Sequence, residues 1–168
     1  MPSRRLHTPP RAQEPPRLRA RPLHFPNLAT GARCPVSRID RRIDFAAHGV
    51  GAGIGPGPAY PIGLSDGVLE LVWNTTEFRG AWGGQKVLWW VRPGFRRTNV
   101  LVRGGRLDAP GRVRFERGAL PPLELRVPRG TGRAGYPSYT RLREPGCYAY
   151  QIDGTGFSRT IVFRAVAG

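Results

Sequence analysis

The last 24 residues, PGCYAYQIDGTGFSRTIVFRAVAG (145–168), decide the fold of this chain. Apolar residues alternate with other types in both halves of this stretch, which is the period of a strand with one buried face. The segment DGTG (153–156) between the halves favours a tight turn, because Asp and Gly accept a positive φ. We therefore predict a β-hairpin. Its core face carries Tyr148, Tyr150 and Ile152 from the first strand and Ile161, Phe163 and Ala165 from the second.

Strand-like runs recur at short intervals from residue 67 onward. Eight are predicted: GVLELVW (67–73), QKVLWWV (85–91), TNVLVRG (98–104), RVRF (112–115), LELRV (123–127), SYTRL (138–142), CYAYQID (147–153) and FSRTIVFRAVA (157–167). The QKVLWWV run is apolar on both faces, as in a central strand covered on both sides. The preceding segment HGVGAGIGPGPAYP (48–61) is predicted to be a long irregular loop, because regular elements tolerate few glycines. Short strands with Gly/Pro turns indicate a sandwich or barrel, and we predict an all-β antiparallel sandwich of about seven to nine strands.

The first 33 residues differ in composition from the rest of the chain. They contain seven prolines, seven arginines and one glutamate, and their apolar residues show no period. Such a segment cannot bury enough surface to offset the entropy cost of ordering it. We predict a disordered arm over 1–33 and one β-sandwich domain over 34–168. The arm either binds an acidic partner, is a tail without a function, or is an extension from a misplaced start codon.

The two cysteines, Cys34 and Cys147, stand at the two ends of the predicted domain. Cys147 alternates away from the core face of the hairpin, so Cys34 can reach it only if the early chain crosses that outer side. A disulfide would close a loop of about 113 residues, worth up to about 4–5 kcal/mol in the chain-entropy treatment. The alternative is a pair of buried reduced thiols, as is common in cytosolic proteins. We predict the disulfide.

The Pro-Gly-x-Tyr element of PGCYAY, the DG turn and the apolar strand FSRTIVFRA together resemble the last hairpin of bacterial immunoglobulin-like β-sandwich domains. More loosely, GPGPAYPIG, QKVLWWVRPGF and this ending are similar to a group of uncharacterised exported proteins from GC-rich bacteria. The resemblance covers most of 34–168. It implies an immunoglobulin-like sandwich in the cell envelope, and it implies no catalytic residues.

The charge of the chain raises the question of an anionic partner. The formal net charge is +16, from 26 arginines and the single Lys86 against 11 acidic residues. Such an excess attracts polyanions, nucleic acid or acidic membrane surfaces, although GC-rich codon usage also enriches arginine. Ten of the arginines lie between residues 103 and 143, together with three acids.

Localisation is expected to be exported or envelope-associated rather than cytoplasmic, because of the cysteines and the resemblance. No apolar run is long enough for a transmembrane helix. The amino terminus lacks the apolar segment of a secretory signal, which departs from the resemblance.

Two glycine motifs lack the context that their chemistry requires. GLSDG (63–67) matches the nucleophile elbow around Ser65, but that chemistry needs a histidine after the serine, and all three histidines precede it. GTGRAG (130–135) matches a dinucleotide-binding motif, yet Tyr-Pro-Ser follows where a helix should begin. We interpret both as turns or loops.

No metal or cofactor site is predicted. The cysteines and histidines offer no ligand pair at chelating spacing. The carboxylates Asp40, Asp44, Asp66 and Glu70 do not form the pattern of a calcium loop. Ion pairing with the neighbouring arginines is the simpler interpretation for Asp40 and Asp44.

The four tryptophans are expected to serve mainly in packing. Trp89 and Trp90 are adjacent in one strand and must point to opposite faces, so at least one belongs to the core. Trp82 lies in a glycine-rich connection and is the best candidate for a surface contact, since an exposed ring among arginines can stack on a base or sugar.

Three classes of function follow from these observations. The first is a non-enzymatic immunoglobulin-like module, exported or envelope-associated, that supports or binds another protein or a cell-envelope component. The second is a basic β module that binds anions or nucleic acid. An enzyme is the third and has the least support, because no nucleophile–base pair or metal cluster can be assembled from these residues.

Overall fold

The structure, a computed structural model, describes residues 15–64 and 66–168. In that part of the chain the one α-helix is a single turn, α1 (Pro15–Arg19), and two 3-10 turns lie at Ala46–His48 and Pro93–Phe95. Nine strands make up the rest of the regular structure: β1 (Ala59–Ile62), β2 (Val68–Leu71), β3 (Gly83–Val91), β4 (Val100–Arg106), β5 (Arg114–Phe115), β6 (Leu125–Val127), β7 (Tyr136–Leu142), β8 (Gly146–Gly154) and β9 (Phe157–Ala167). The predicted all-β class is confirmed.

The strands form two sheets. The four-stranded sheet has the order β1-β3-β7-β5, and all its pairs are antiparallel. The five-stranded sheet has the order β2-β9-β8-β4-β6, and here β2 runs parallel to β9 while the other pairs are antiparallel. The prediction of wholly antiparallel sheets is therefore wrong at this edge. Parallel pairing needs a long connection, and most of the domain lies between β2 and β9 in the chain.

All eight predicted strands are present, with small shifts at their ends, and one strand was missed. β1 falls within the predicted loop 48–61 and extends one residue beyond it. Pro61 and the surrounding glycines argue against a regular element. Among the described strands β1 pairs with β3 alone, so it lies at the edge of the sheet, where a proline is tolerated because no second strand needs its N–H.

The predicted hairpin joins β8 to β9. All nine residues of β8 pair with β9, from Gly146↔Ala165 to Gly154↔Phe157 next to the turn. Gly156 in the turn has a φ of 81°, a conformation that glycine adopts without steric cost.

The main core lies between the two sheets and is rich in aromatic rings. Trp89 packs edge-on against Tyr150 at 5.2 Å between centroids, and Tyr150 stacks on Phe163 at 4.4 Å. The buried hydroxyl of Tyr150 is satisfied by Thr140 at 2.8 Å. The predicted core face of the hairpin is confirmed, because all six of its residues lie in this cluster: Tyr148, Tyr150, Ile152, Ile161, Phe163 and Ala165.

β3 is covered on both sides, as predicted. Trp90 points away from the main core and is fully buried in a second cluster with Phe45, Tyr60 and Ile62. Trp89 and Trp90 thus face opposite ways, and each is a packing residue.

Residues 17–36, which we call the strap, cross the outer face of the five-stranded sheet. Phe25 and Leu28 of the strap pack against a buried cluster that contains Ala149 and Val162. Leu18, at the start of the strap, is only 4% exposed.

Polar side chains of the sheet hold the backbone of the strap. Gln151 accepts a hydrogen bond from the His24 N–H at 2.6 Å and donates one to the Pro22 carbonyl at 2.9 Å. Arg103 donates to the Arg21 carbonyl at 2.9 Å. The described part of the predicted disordered arm therefore lies on the domain, and residues 1–14 fall outside the described residues. The composition of the arm does not favour order by itself, but the sheet supplies the hydrogen-bond partners that make its order favourable.

Candidate functional site

The predicted disulfide between Cys34 and Cys147 is present. The two Cα atoms lie 5.5 Å apart, and the bond spans 113 residues of sequence. Cys147 is buried beside Ala149 and Val162 on the outer side of β8, as its alternation required. The disulfide therefore anchors the end of the strap to the outer face of the five-stranded sheet.

Trp82 is buried rather than exposed, so the prediction of a surface contact through its ring is wrong. Its side chain lies against two arginines, with the guanidinium carbons of Arg114 and Arg143 at 5.0 and 4.8 Å from the ring. Only 8% of the residue remains exposed. The strand register explains this burial. Gly83 pairs with Leu142, so Arg143, which follows β7, lies next to Trp82, which precedes β3.

Trp82 belongs to a larger group of rings and guanidinium groups on the outer face of the four-stranded sheet. Arg117 lies over the Tyr139 ring at 5.0 Å and donates to the Tyr139 hydroxyl at 2.6 Å. Phe78 packs edge-on against Tyr139 at 5.5 Å. We call this group the arginine–aromatic face, and it comprises Phe78, Trp82, Arg114, Arg117, Tyr139, Arg141 and Arg143.

The strand period places these residues together. Along β7, Ser138, Thr140 and Leu142 are buried on the inner side. Tyr139 and Arg141 therefore point outward, and Arg114 of β5 pairs with Arg141. The alternation of β7 was visible in the sequence, but its pairing with β5 was not, so the arginine excess could not be assigned to one surface.

Arg141 is fully buried and holds the face together. Among the described residues it forms no ion pair, and its guanidinium group instead donates to backbone carbonyls and lies 5.2 Å from the Phe78 ring. Burial lowers the pKa of Arg141. The carbonyls belong to Arg79, Trp82, Gly83, Glu116 and Gly118, at donor–acceptor distances from 2.6 to 3.3 Å. Arg141 thus ties the segment before β3 and the turn after β5 to β7.

Two arginines of the face, Arg117 and Arg143, are exposed, whereas Arg114 is partly buried and donates to the Pro121 carbonyl at 2.7 Å. In the described part of the chain, Arg114, Arg117 and Arg143 form no salt bridge, because the ion pairs involve other arginines. Glu116 lies in the adjoining turn, and burial raises the pKa of its carboxyl. Lys86 is exposed on the same side of β3, opposite Tyr139. The face therefore presents more cations than acids, and the two acids Glu77 and Glu116 interact electrostatically with Arg117.

Asp40 shows the local ion pairing that the sequence predicted. Arg42 donates to both of its carboxylate oxygens at 2.8 Å, and the Tyr60 hydroxyl donates to one of them at 2.8 Å. The Arg42 hydrogen bonds hold the pKa of Asp40 well below its usual value. Burial, followed by the bond to Asp40, raises the pKa of Tyr60 to about 12. Asp44 instead accepts a hydrogen bond from the Ala47 N–H at 3.0 Å.

The two glycine motifs lie in connections. Ser65 falls outside the described residues, and its neighbours Asp66 and Gly67 have φ of 50° and 76° in the turn before β2. The segment 130–135 joins β6 to β7 without a helix, so its interpretation as a loop is confirmed. Among the described residues, no group of three or more His, Cys, Asp or Glu side chains could hold a metal ion.

The described helices are all too short and too polar to cross a bilayer. Comparisons with protein-family models, with curated proteins and with solved structures find no match for this chain.

Proposed function

We propose that the chain is a non-enzymatic immunoglobulin-like β-sandwich module, exported or envelope-associated, that supports or binds another protein or a cell-envelope component. The observation that carries this proposal is the hydrogen bond from the Tyr148 hydroxyl to the Glu144 carbonyl, at 2.8 Å across the corner between β7 and β8. Immunoglobulin domains have such a tyrosine corner at the start of strand F.

The strand order also supports an immunoglobulin-like sandwich. The order β1-β3-β7-β5 corresponds to strands A-B-E-D, and β9-β8-β4 corresponds to G-F-C. Antibody domains join B and F by a disulfide through the core. Here the corresponding strands β3 and β8 meet through Trp89 and Tyr150, at 5.2 Å. One departure is β6, which follows β5 in the chain but pairs with β4.

The disulfide supports the exported location, because such bonds persist mainly in oxidising compartments. The test is to alkylate the protein in intact host cells, fractionate them and measure the masses of the peptides with Cys34 and Cys147. We expect recovery with the envelope or medium and no alkylation before reduction. Two alkylated thiols in a cytosolic fraction would contradict the proposal.

A basic β module that binds polyanions or nucleic acid is the second candidate function. It is favoured by the arginine–aromatic face, whose exposed guanidinium groups have no salt-bridge partner among the described residues. Binding of this kind weakens steeply with salt because counterions are released. Retention on heparin and single-stranded DNA should therefore fall as NaCl rises. Failure of both to retain the protein near physiological ionic strength would rule this function out.

A further inference from the structure

The arginine–aromatic face indicates which class of polyanion fits it. We propose that it binds a linear acidic polysaccharide through carboxylate or sulfate groups, without stacking on nucleic acid bases. This inference rests on the second candidate function above.

The guanidinium groups of the face are held in position before any ligand arrives. Arg114 and Arg143 each lie about 5 Å from the Trp82 ring centroid, so their guanidinium carbons are less than about 10 Å apart. Arg143 is exposed, whereas Arg114 is partly buried and is also held by its hydrogen bond to the Pro121 carbonyl. Arg117 is held over Tyr139 by both the ring and its hydroxyl. Arginine presents a planar fork of donors that matches an oxyanion, and a fork that is already ordered loses less entropy on binding.

The face is elongated along β7. Arg117 lies over Tyr139, and Arg143 stands four residues further along the chain. At the rise of an extended strand, four residues span roughly 13 Å. The cations therefore extend over a length that suits several units of a linear chain better than one small anion. The sheet and the carbonyl contacts of Arg141 make this surface rigid.

The aromatic rings of the face are covered. Trp82 and Phe78 are 8% and 5% exposed, and the half-buried ring of Tyr139 lies under Arg117. Proteins that bind single-stranded nucleic acid combine a basic groove with bare rings on which bases stack. This face offers the charge without the bare rings, which favours a ligand recognised by its acidic groups alone.

The test compares two double variants that each remove two exposed arginines from the full chain. R117Q/R143Q changes the face, and R97Q/R129Q is the control, with both sites in loops outside the face. Affinity for heparin is measured by isothermal titration calorimetry in 150 mM NaCl, a concentration chosen to be about physiological. We expect the face variant to bind about tenfold more weakly or worse, because it loses two charge-assisted contacts, and the control to change less than about threefold.

Two further ligands test the class of polyanion. Dextran sulfate and polygalacturonate separate sulfate from carboxylate, and weaker binding of either by R117Q/R143Q supports the proposal. A single-stranded oligothymidylate of matched charge should bind the wild type more weakly than heparin does. If it binds more tightly and depends on the face, the site is a nucleic acid site and the polysaccharide proposal is overturned.

The remaining outcomes distinguish a wrong location of the binding site from the absence of polyanion binding. Equal loss of heparin affinity in both double variants would overturn the site while leaving polyanion binding intact. No binding of any polyanion by the wild type would refute the second candidate function itself. Circular dichroism and thermal midpoints verify that the variants are folded, and the single exposed change R143Q repeats the test if the double variant is not.

Discussion

The outer faces of the two sheets use arginine in different ways. On the five-stranded sheet, Arg103 donates to Asp153 at 2.7 Å and to backbone carbonyls of the strap, so its charge is used within the protein. On the four-stranded sheet, the exposed Arg117 and Arg143 lie over the Tyr139 and Trp82 rings and form no salt bridge with a described residue. The comparison shows that net charge does not locate a binding surface. The partner of each guanidinium group decides whether it stabilises the fold or is free for a ligand.

Loss of the disulfide should have the largest effect on global stability, and local loosening of the native state should be confined to the strap side. Replacement of both cysteines, C34S/C147S, should lower the free energy of unfolding by about 4 kcal/mol, because the long loop is no longer closed. Urea denaturation measures the loss, and hydrogen exchange should show lower protection in the strap. Amides of the arginine–aromatic face that exchange by local opening serve as the internal control. Unchanged protection at residues 22–28 would mean that the strap is held without the disulfide.

Replacing Arg141 should have the next largest effect, on the opposite sheet. Arg141→Leu leaves several buried carbonyls without a donor and should cost about 3 kcal/mol. Arg143→Leu is the matched control, because Arg143 is exposed and its loss removes only the contact with the Trp82 ring, which should cost about 1 kcal/mol or less. Urea denaturation measures the loss of unfolding free energy in each variant. Equal, small losses would show that the carbonyl contacts of Arg141 contribute little.

Replacing Asp153 should have a smaller effect, because the amide keeps the shape of the side chain. Asp153 is fully buried and accepts hydrogen bonds from Arg103 at 2.7 Å and Gln151 at 3.0 Å. Asp153→Asn removes the charge opposite Arg103 and should cost about 2 kcal/mol, with loosening of the strap. Asp66→Asn, at an exposed turn position with φ of 50°, is the control and should be nearly neutral. If the backbone amides of the strap exchange as slowly in the Asp153→Asn variant as in the wild type, Asp153 does not anchor the strap.

The ion pair of Asp40 should give the smallest effect and a characteristic pH dependence. Its folded-state pKa is lowered from the ordinary value of 3.8, chiefly by the hydrogen bonds from Arg42. The stabilisation is therefore present above that value and is lost as the pH falls through the folded-state pKa. Arg42 is largely exposed, so Asp40→Asn should cost about 1 kcal/mol or less at pH 7. A difference between wild type and variant that grows below pH 4, measured by urea denaturation, would contradict this assignment.

Local sequence patterns were sufficient to predict features that depend on a single strand or turn. The period of two identified eight strands and assigned Tyr148, Tyr150 and Ile152 to the core. It also placed Cys147 on the outer side, where the disulfide with Cys34 is found. β1 was not predicted because Pro61 argues against a strand in the interior of a sheet. Its position at the sheet edge, where proline is tolerated, is not visible in the sequence.

The sequence by itself determined the all-β class, the last hairpin, its buried face and the outward side of Cys147, because alternation and turn chemistry act between neighbours in the chain. The tertiary structure alone decided that Trp82 is covered, that Arg141 is buried among carbonyls and that the strap lies on the sheet. Each of these depends on residues far apart in the chain that strand register brings together. A side chain's environment is set by partners that its own neighbourhood in the sequence does not contain.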